Sequence, residues 1–426
     1  MSNRVVITGI GPVTSVGAGV EPFFRELWAG RPQIQPVPER FSRNAPIQSG
    51  FYVPLPAVAL GDYGLDIAQE NLMQPEDKMV ILAAKLALED AGFTCVNKEG
   101  GMCVEHLGEG SMTLGTGLTG MQTAFESYLS HTVNRELLRT ALPDRKLIFS
   151  RMVVPKTMPD SPAAWSSIKF GLTGPCLTLN ASCASGTYAI GEAFQRIRYG
   201  SSQIALAGGV ESLVDPEGFM MRGFDVLGVL TRSPDGRPSP FSKKRSGFLF
   251  AEGGACLLVL EELQRARARG AKIYAEIADY RANSDAYSIM QIDPEAKQIR
   301  RILSDLSQGR RIDYLNSHGT GTLPNDQIET QAIQAVFGAR QDQPLVNSTK
   351  GILGHTLGAS GAIETAVTAL SILHGSVHGN LTSEPIEDLN LPLQSTSCDV
   401  RAAITVSYGF GGHNAGLLLT RFENSP

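Results

Sequence analysis

Cys176-Leu-Thr-Leu-Asn-Ala-Ser-Cys-Ala-Ser-Gly186 changes its hydrophobic period part-way along. Leu177 and Leu179 alternate with Thr178 and Asn180, as in a strand. Past the small-residue turn, Ile190, Ala193, Phe194 and Ile197 recur at i, i+3, i+4 and i+7, as in an amphipathic helix. Ile204 to Gly208 then resumes strand character. Strand, turn, helix and strand in this order are the unit of layered α/β architecture. Working outward, Val5 to Ile10 reads as a strand and Met79 to Ala91 as a helix. The second half repeats the rhythm. Strands are expected at Cys256 to Leu260, Lys272 to Ile277, Ile312 to Leu315, Leu345 to Asn347, Ala403 to Val406 and Ala415 to Leu419. Helices are expected at Glu261 to Arg269, at Ile328 to Phe337, and around Ile363, Val367 and Leu370. No Pro/Gly/Ser linker separates the halves, so two closely packed units are expected, 1–254 and 255–426.

Composition narrows the function classes. Of 426 residues, 42% are hydrophobic and 19% charged, which excludes a disordered chain. Lys and Arg number 37 against 42 Asp and Glu, a net charge of −5 that gives no general reason to bind nucleic acid or an anionic membrane. The six cysteines (95, 103, 176, 183, 256 and 398) form no CxxC, so neither a zinc site of the usual spacing nor a disulfide framework is expected. The N-terminus lacks the apolar stretch of a signal peptide, and no run approaches the ~20 apolar residues that span a bilayer. A soluble, cytoplasmic protein is expected.

Three polar constellations carry chemistry. Asn180 to Gly186 puts Cys183 at or just before a helix N-terminus, where free amides and the helix dipole favour thiolate over thiol. An arbitrary cysteine is more often structural, and Cys176, inside the apolar strand, is read that way. Asn316-Ser-His-Gly-Thr-Gly-Thr322 follows a strand, where active sites of α/β proteins collect and an imidazole can move a proton near neutral pH. Gly319 and Gly321, interleaved with Thr320 and Thr322, suggest a backbone shaped around a ligand. Asn347-Ser-Thr-Lys-Gly-Ile-Leu-Gly-His355 leads through further glycines into a helix. A phosphate loop needs its lysine after the glycines, whereas Lys350 precedes Gly351 and Gly354; the nucleotide reading fails. One cysteine and two histidines argue for covalent thiol chemistry. Peptide hydrolysis would not need the second histidine and the lysine. The loop Ser407-Tyr-Gly-Phe-Gly-Gly-His-Asn414 could bring backbone N–H groups close to a reacting oxygen.

Together these segments closely resemble the β-ketoacyl-acyl carrier protein synthases, on the elongating branch. The resemblance runs from Val5-Val-Ile-Thr-Gly-Ile-Gly11 to the last strand near Arg421. The initiating branch uses Cys, His and Asn, so the two histidines speak against it. The resemblance implies an α/β, thiolase-like, duplicated five-layer α-β-α-β-α fold. It also implies an acyltransferase that condenses a Cys-bound acyl chain with malonyl-acyl carrier protein, releasing carbon dioxide, in fatty acid or polyketide elongation. By the same resemblance Cys183 is the nucleophile, and His318 and His355 stabilise the enolate. The backbone N–H groups of Cys183 and Phe410 form the oxyanion hole. Lys350 tunes the charge network with Asp326, Glu329 and Glu364, although any one of these acids alone would read as a solvated helix face. Thr320 and Thr322 hold the phosphopantetheine arm, and Leu118, Met152 and Val153 line the acyl pocket. No metal or resident cofactor is implied, since substrates ride on the phosphopantetheine of an acidic acyl carrier protein. A homodimer is implied, or a heterodimer with a chain-length-factor-like subunit.

Several positions depart from the family's pattern. His413 stands where Thr is usual, Tyr408 where Phe is common, and Ser246 replaces Asp in Lys244-Arg-Ser-Gly-Phe248. The segment after Asn283-Ser-Asp-Ala-Tyr287 is short. Gln74-Pro-Glu-Asp-Lys78 is acidic where a basic patch often meets the carrier; Arg135, Arg139, Arg145 and Lys146 form the nearest basic cluster before Cys183. These changes bring a specialised synthase, extending an unusual acyl or polyketide chain, close behind the fatty-acid reading. Two further classes compete. A chain-length factor shares the fold without the nucleophile, and retention of Cys183 argues against it. A thiolase would carry a second cysteine in a late Cys-Gly motif, where this chain has His413.

Overall fold

The computed structural model describes residues 2–423 apart from 44–45, 56, 66–68, 99–100, 105–106, 133–150 and 216. Its main sheet contains two runs of five strands. The first run comprises β1 (Val5–Thr14), β2 (Ser111–Gly115), β3 (Cys176–Leu179), β4 (Ile204–Ser212) and β5 (Gly253–Glu262), in the spatial order β3-β2-β4-β5-β1. The second comprises β6 (Ala275–Ser284), β7 (Tyr314–Asn316), β8 (Leu345–Asn347), β9 (Ala402–Gly409) and β10 (His413–Thr420), in the order β8-β7-β9-β10-β6. In both runs the second strand lies parallel to the third and fourth, and the fifth lies antiparallel to the fourth and first. The same order with the same directions, twice, is a duplicated unit. Val5–Ile7 pair with Ala275–Ile277 and join the runs edge to edge.

Six helices complete the layers: α1 (Pro75–Asp90), α2 (Ser161–Phe170), α3 (Ser185–Arg198), α4 (Lys297–Ser307), α5 (Leu323–Phe337) and α6 (Ser360–His374). Helices α1 and α2 cover the first run, α4 and α5 cover the second, and α3 and α6 lie between the two. This is the expected five-layer α-β-α-β-α arrangement. Each outer layer has its own apolar core, and the central core joins Ile190, Ala193 and Ile197 of α3 to Ala362, Ala366 and Leu370 of α6. Every residue from Ser360 to Ile372 is buried, which explains why α6 is apolar nearly all round.

The central pair crosses where side chains are absent. A Cβ on Gly361 would stand 2.0 Å from Thr187 Oγ1, and one on Gly186 would stand 2.8 Å from the Ala362 nitrogen. Two glycines thus let the helix after Cys183 touch the helix after His355. The N-terminal ends of the duplicated helices, one from each half, share one place.

Two expectations need correction. A cut at 254/255 falls inside β5, which pairs with β4 and β1 and so belongs to the first unit. The helix expected from Glu261 begins only at Leu263, because Glu261 is the buried end of β5, taking a 2.6 Å hydrogen bond from the Thr8 hydroxyl and an ion pair from Arg269. Arg135, Arg139, Arg145 and Lys146 lie outside the described residues. Among the described residues no helix is long and apolar enough to cross a membrane, and no cluster of His, Cys, Asp or Glu is set to hold a metal.

Candidate active site

Cys183 sits on the turn between β3 and α3. The turn is tight enough to force Ser182 to φ 52°, a left-handed conformation that a side chain resists. The Ser185 hydroxyl holds it, accepting from the Ala181 N–H at 2.9 Å and donating to the Ser182 carbonyl at 2.6 Å. The segment after β8 brings His355 to the same point, with Nε2 3.2 Å from Cys183 Sγ. The Leu357 N–H donates to His355 Nδ1 at 3.3 Å, so Nδ1 accepts and Nε2 carries the proton. His355 therefore presents a donor to the sulfur and to any oxygen that comes to lie there.

His318, at the end of β7, completes the group, its ring 5.5 Å from that of His355 at 82°. Burial holds both imidazoles well below the usual histidine pKa, helped by the Lys350 charge, so both are neutral. Lys350 is itself buried and ion-paired to Glu364. Glu329 accepts the backbone N–H groups of His318 and Gly319, each at 2.8 Å, and fixes the loop beneath the imidazole. Asp326 does the same for Gly321 at 3.1 Å and for Phe241 at 2.7 Å. All three acids are buried, so the solvated-face reading fails for each.

These residues meet at a cavity of about 560 Å³. Cys183, His318, His355, Thr320, Thr322 and Phe410 all line it. The two threonine hydroxyls lie 2.9 Å apart. A Cβ on Gly409 would come within 3.2 Å of the Cys183 nitrogen, which shows how closely the Phe410 loop approaches the Cys183 amide.

Residues 2–266 match the family of the β-ketoacyl synthase N-terminal domain, and residues 274–384 that of its C-terminal domain. The chain belongs to the β-ketoacyl synthase family. It is 31% identical over 434 residues to the 3-oxoacyl-[acyl-carrier-protein] synthase 2 of Coxiella burnetii, with 98% of each chain covered. It is 32% identical over 435 residues to the enzyme of the same name from Staphylococcus aureus, with 99% of each covered. Among solved structures, a β-ketoacyl synthase from Burkholderia phymatum superimposes with a TM-score of 0.83 at 29% identity, over 99% of this chain and 100% of that one. The ishigamide ketosynthase/chain length factor gives 0.83 at 28% identity over the same shares.

The synthase departs from its sequence-based expectations in four places. The Cys183 thiol is not held low by its helix; burial pushes it up to about 12, with Lys350 only partly opposing. Cys176, read as structural inside an apolar strand, is exposed on the edge strand β3. Leu118 is exposed and lies outside the cavity, because Glu211 accepts the Gly117 and Leu118 N–H groups at 3.0 and 2.8 Å and ties that backbone inward while the side chain points away. Met152 and Val153 also lie outside it: Met152 borders a separate hollow with Pro155, Trp165 and Ile168, beside the short helix Val153–Thr157. The cavity's apolar wall comes instead from Phe224, Leu227, Phe248, Met290, Ile292 and Ile328.

Glu211 went unrecognised in the sequence. It also accepts the Gly358 N–H at 2.9 Å, so one buried carboxyl ties the loop beside Cys183 to the loop after His355. An acid ending the apolar strand Ile204–Ser212 was the available signal. Phe248 presents its ring at 88° to His355, 5.1 Å away, and Tyr408 lies 5.5 Å from the His318 ring.

Burial raises Glu211 to about 8 and Glu329 to about 7, above the 4.5 of a free glutamate. Acids raised in the fold contribute stability at low pH that is lost as pH rises through those values. His318, His355 and His378, held below 6.5, act oppositely but only below that value. From pH 6.5 to 8.5 the acids therefore dominate. Urea unfolding of the synthase is expected to give a stability lower at pH 8.5 than at pH 6.5 by on the order of 1 kcal/mol. A rise over that interval would contradict the buried state of these acids.

Proposed function

We propose that the synthase is a 3-oxoacyl-[acyl-carrier-protein] synthase working in the cytoplasm on fatty acid or polyketide chains. The observation that carries this reading is Cys183 Sγ within 3.2 Å of a proton-bearing His355 Nε2, with neutral His318 beside it on the same cavity. In the first half-reaction the sulfur attacks the carbonyl of a carrier-bound thioester. The carrier thiol departs with the proton that Cys183 gives up, which suits a thiol that stays protonated until substrate arrives.

In the second half-reaction malonyl-carrier enters with its arm along Thr320 and Thr322. The bond to its carboxylate breaks, carbon dioxide leaves, and the electron pair is held as an enolate whose oxygen takes donors from His318 and His355. Stabilising charge where it develops is usually the largest catalytic contribution. The enolate carbon then attacks the acyl-cysteine, the backbone N–H groups of Cys183 and Phe410 receive the carbonyl oxygen, and the carbon–sulfur bond breaks, Cys183 leaving as thiolate and taking a proton from solvent to regain its thiol. Burial, helped by the charge of Lys350, keeps the imidazoles neutral. Incubation with acyl- and malonyl-carrier protein should give a β-ketoacyl product two carbons longer, with one carbon dioxide for each. Chain transfer without carbon dioxide release would favour a thiolase-type reaction instead.

Two copies are proposed to associate through β3. Among the described residues this edge strand has no neighbour on its outer side, and Leu177 and Cys176 are exposed on it, with Ile168 of α2 also in solvent. Sedimentation is expected to show a species of twice 45.6 kDa. A second reading, pairing with a chain-length-factor-like subunit, draws on the likeness to the ishigamide pair. A species of single mass at micromolar concentration would favour that reading over the homodimer.

A further inference from the structure

Glu211 is the next-to-last residue of β4 and is fully buried where the two halves meet. Its Oε2 is shared between them, taking the Gly117 N–H at 3.0 Å from the loop after β2 and the Gly358 N–H at 2.9 Å from the loop after His355. The loops close on it tightly. A Cβ on Gly117 would stand 2.6 Å from Oε2, and one on Gly358 would stand 2.6 Å from the Gly117 nitrogen. Burying a carboxyl is costly, and an apolar side chain of similar volume would fill the same space. Such a side chain could not accept from both loops at once.

Each tied peptide leads in a short step to Cys183 or His355. On one side the Gly117 carbonyl accepts from Asn180 Nδ2 at 2.7 Å, and Asn180 Oδ1 accepts the Ser182 N–H at 3.1 Å. Ser182 is the left-handed residue beside Cys183. On the other side Gly358 follows Leu357, left-handed at φ 45°, whose N–H donates to His355 Nδ1 and sets its tautomer. Left-handed residues with side chains persist only where their surroundings hold them. Glu211 reaches both. His318 is anchored separately, its N–H being taken by Glu329.

We propose that Glu211 is a positioning residue for the condensation, placing the Cys183 sulfur through Gly117 and Asn180 and the His355 imidazole through Gly358. This rests on the condensation reading above. Displacement of reacting groups by about 1 Å can cost ~10²-fold in rate, so a tie remote from the reacting atoms can matter as much as a direct contact.

The test uses the full-length protein with hexanoyl- and malonyl-loaded acyl carrier protein, following acylation of Cys183 by intact mass and release of carbon dioxide from the malonyl carrier alone. E211A is expected to lower the maximal rate of both half-reactions about 100-fold with KM unchanged. E211Q, whose amide oxygen can still accept from Gly117 and Gly358, should recover both to within about tenfold of wild type. N180A cuts only the path to Cys183, so acylation should fall about tenfold while carbon dioxide release holds. E211A/N180A should acylate no more slowly than E211A, because that path is already cut. A merely structural loss would instead lower both rates together with the folded fraction, and the two effects would multiply. Wild-type rates in folded E211A, or multiplying effects in the double variant, overturn the proposal. Should E211A fail to fold, N180A decides: selective loss of acylation supports the role, and any other result overturns it. If the wild type performs both half-reactions and the variants match it, the positioning role falls and the condensation reading stands. If the wild type performs neither, the condensation reading falls as well.

Discussion

Cys183→Ala is expected to lower condensation by roughly 10⁴-fold or more while leaving malonyl decarboxylation measurable. The substitution removes the sulfur that the proposed reaction acylates. It leaves His318, His355 and the loops beneath them anchored by Glu329 and Glu211, none of which bonds to the sulfur except His355. Alanine also fits the turn, since the strained position is Ser182 rather than Cys183. Carbon dioxide release from malonyl-carrier and β-ketoacyl formation should therefore separate in this variant. Loss of both together, in a folded protein, would mean that the sulfur takes part in enolate formation.

His318→Ala is expected to show the opposite separation. Acylation of Cys183 should persist, because His318 makes no bond to the sulfur, while decarboxylation falls by about 10²- to 10³-fold, the usual effect of removing one preorganised donor. His355→Ala should lose decarboxylation to a similar degree and slow acylation too, since its Nε2 is the sulfur's neighbour. Parallel measurement of adduct mass and carbon dioxide distinguishes the two. Decarboxylation at the wild-type rate in either variant would remove that histidine from enolate stabilisation.

Much of this architecture was legible in the sequence for physical reasons. Strand alternation and the 3.6-residue period of Ile190, Ala193, Phe194 and Ile197 reflect burial, and burial decided those elements. Cys183, His318 and His355 were legible because small, glycine-rich flanks mark turns that admit a ligand. What escaped depends on contacts between distant segments. The thiol's environment was misjudged because proximity to a helix start is visible in sequence, whereas desolvation by Leu357 and Phe248 is not. Leu118 stands outside the cavity because Glu211, from a distant strand, anchors the backbone beside it. The acids Glu76 and Asp77 looked like surface because nothing local announces the Gly120 amide that reaches Glu76 or the Ser161 hydroxyl that reaches Asp77. The segment after Tyr287 is short beside the family's pattern, yet it supplies Met290 and Ile292 to the cavity wall.

The most direct measurement is a chase of the acyl-enzyme. The wild-type protein is acylated from a labelled acyl-carrier protein, freed of excess donor, and mixed with malonyl-carrier protein; peptide mapping and product analysis follow the label with time. The label is expected on Cys183, not on the exposed Cys176 or on Cys256, and should leave it at the rate at which labelled β-ketoacyl-carrier appears. Label on another cysteine, or an adduct on Cys183 that survives while product forms, would contradict Cys183 as the carrier of the growing chain.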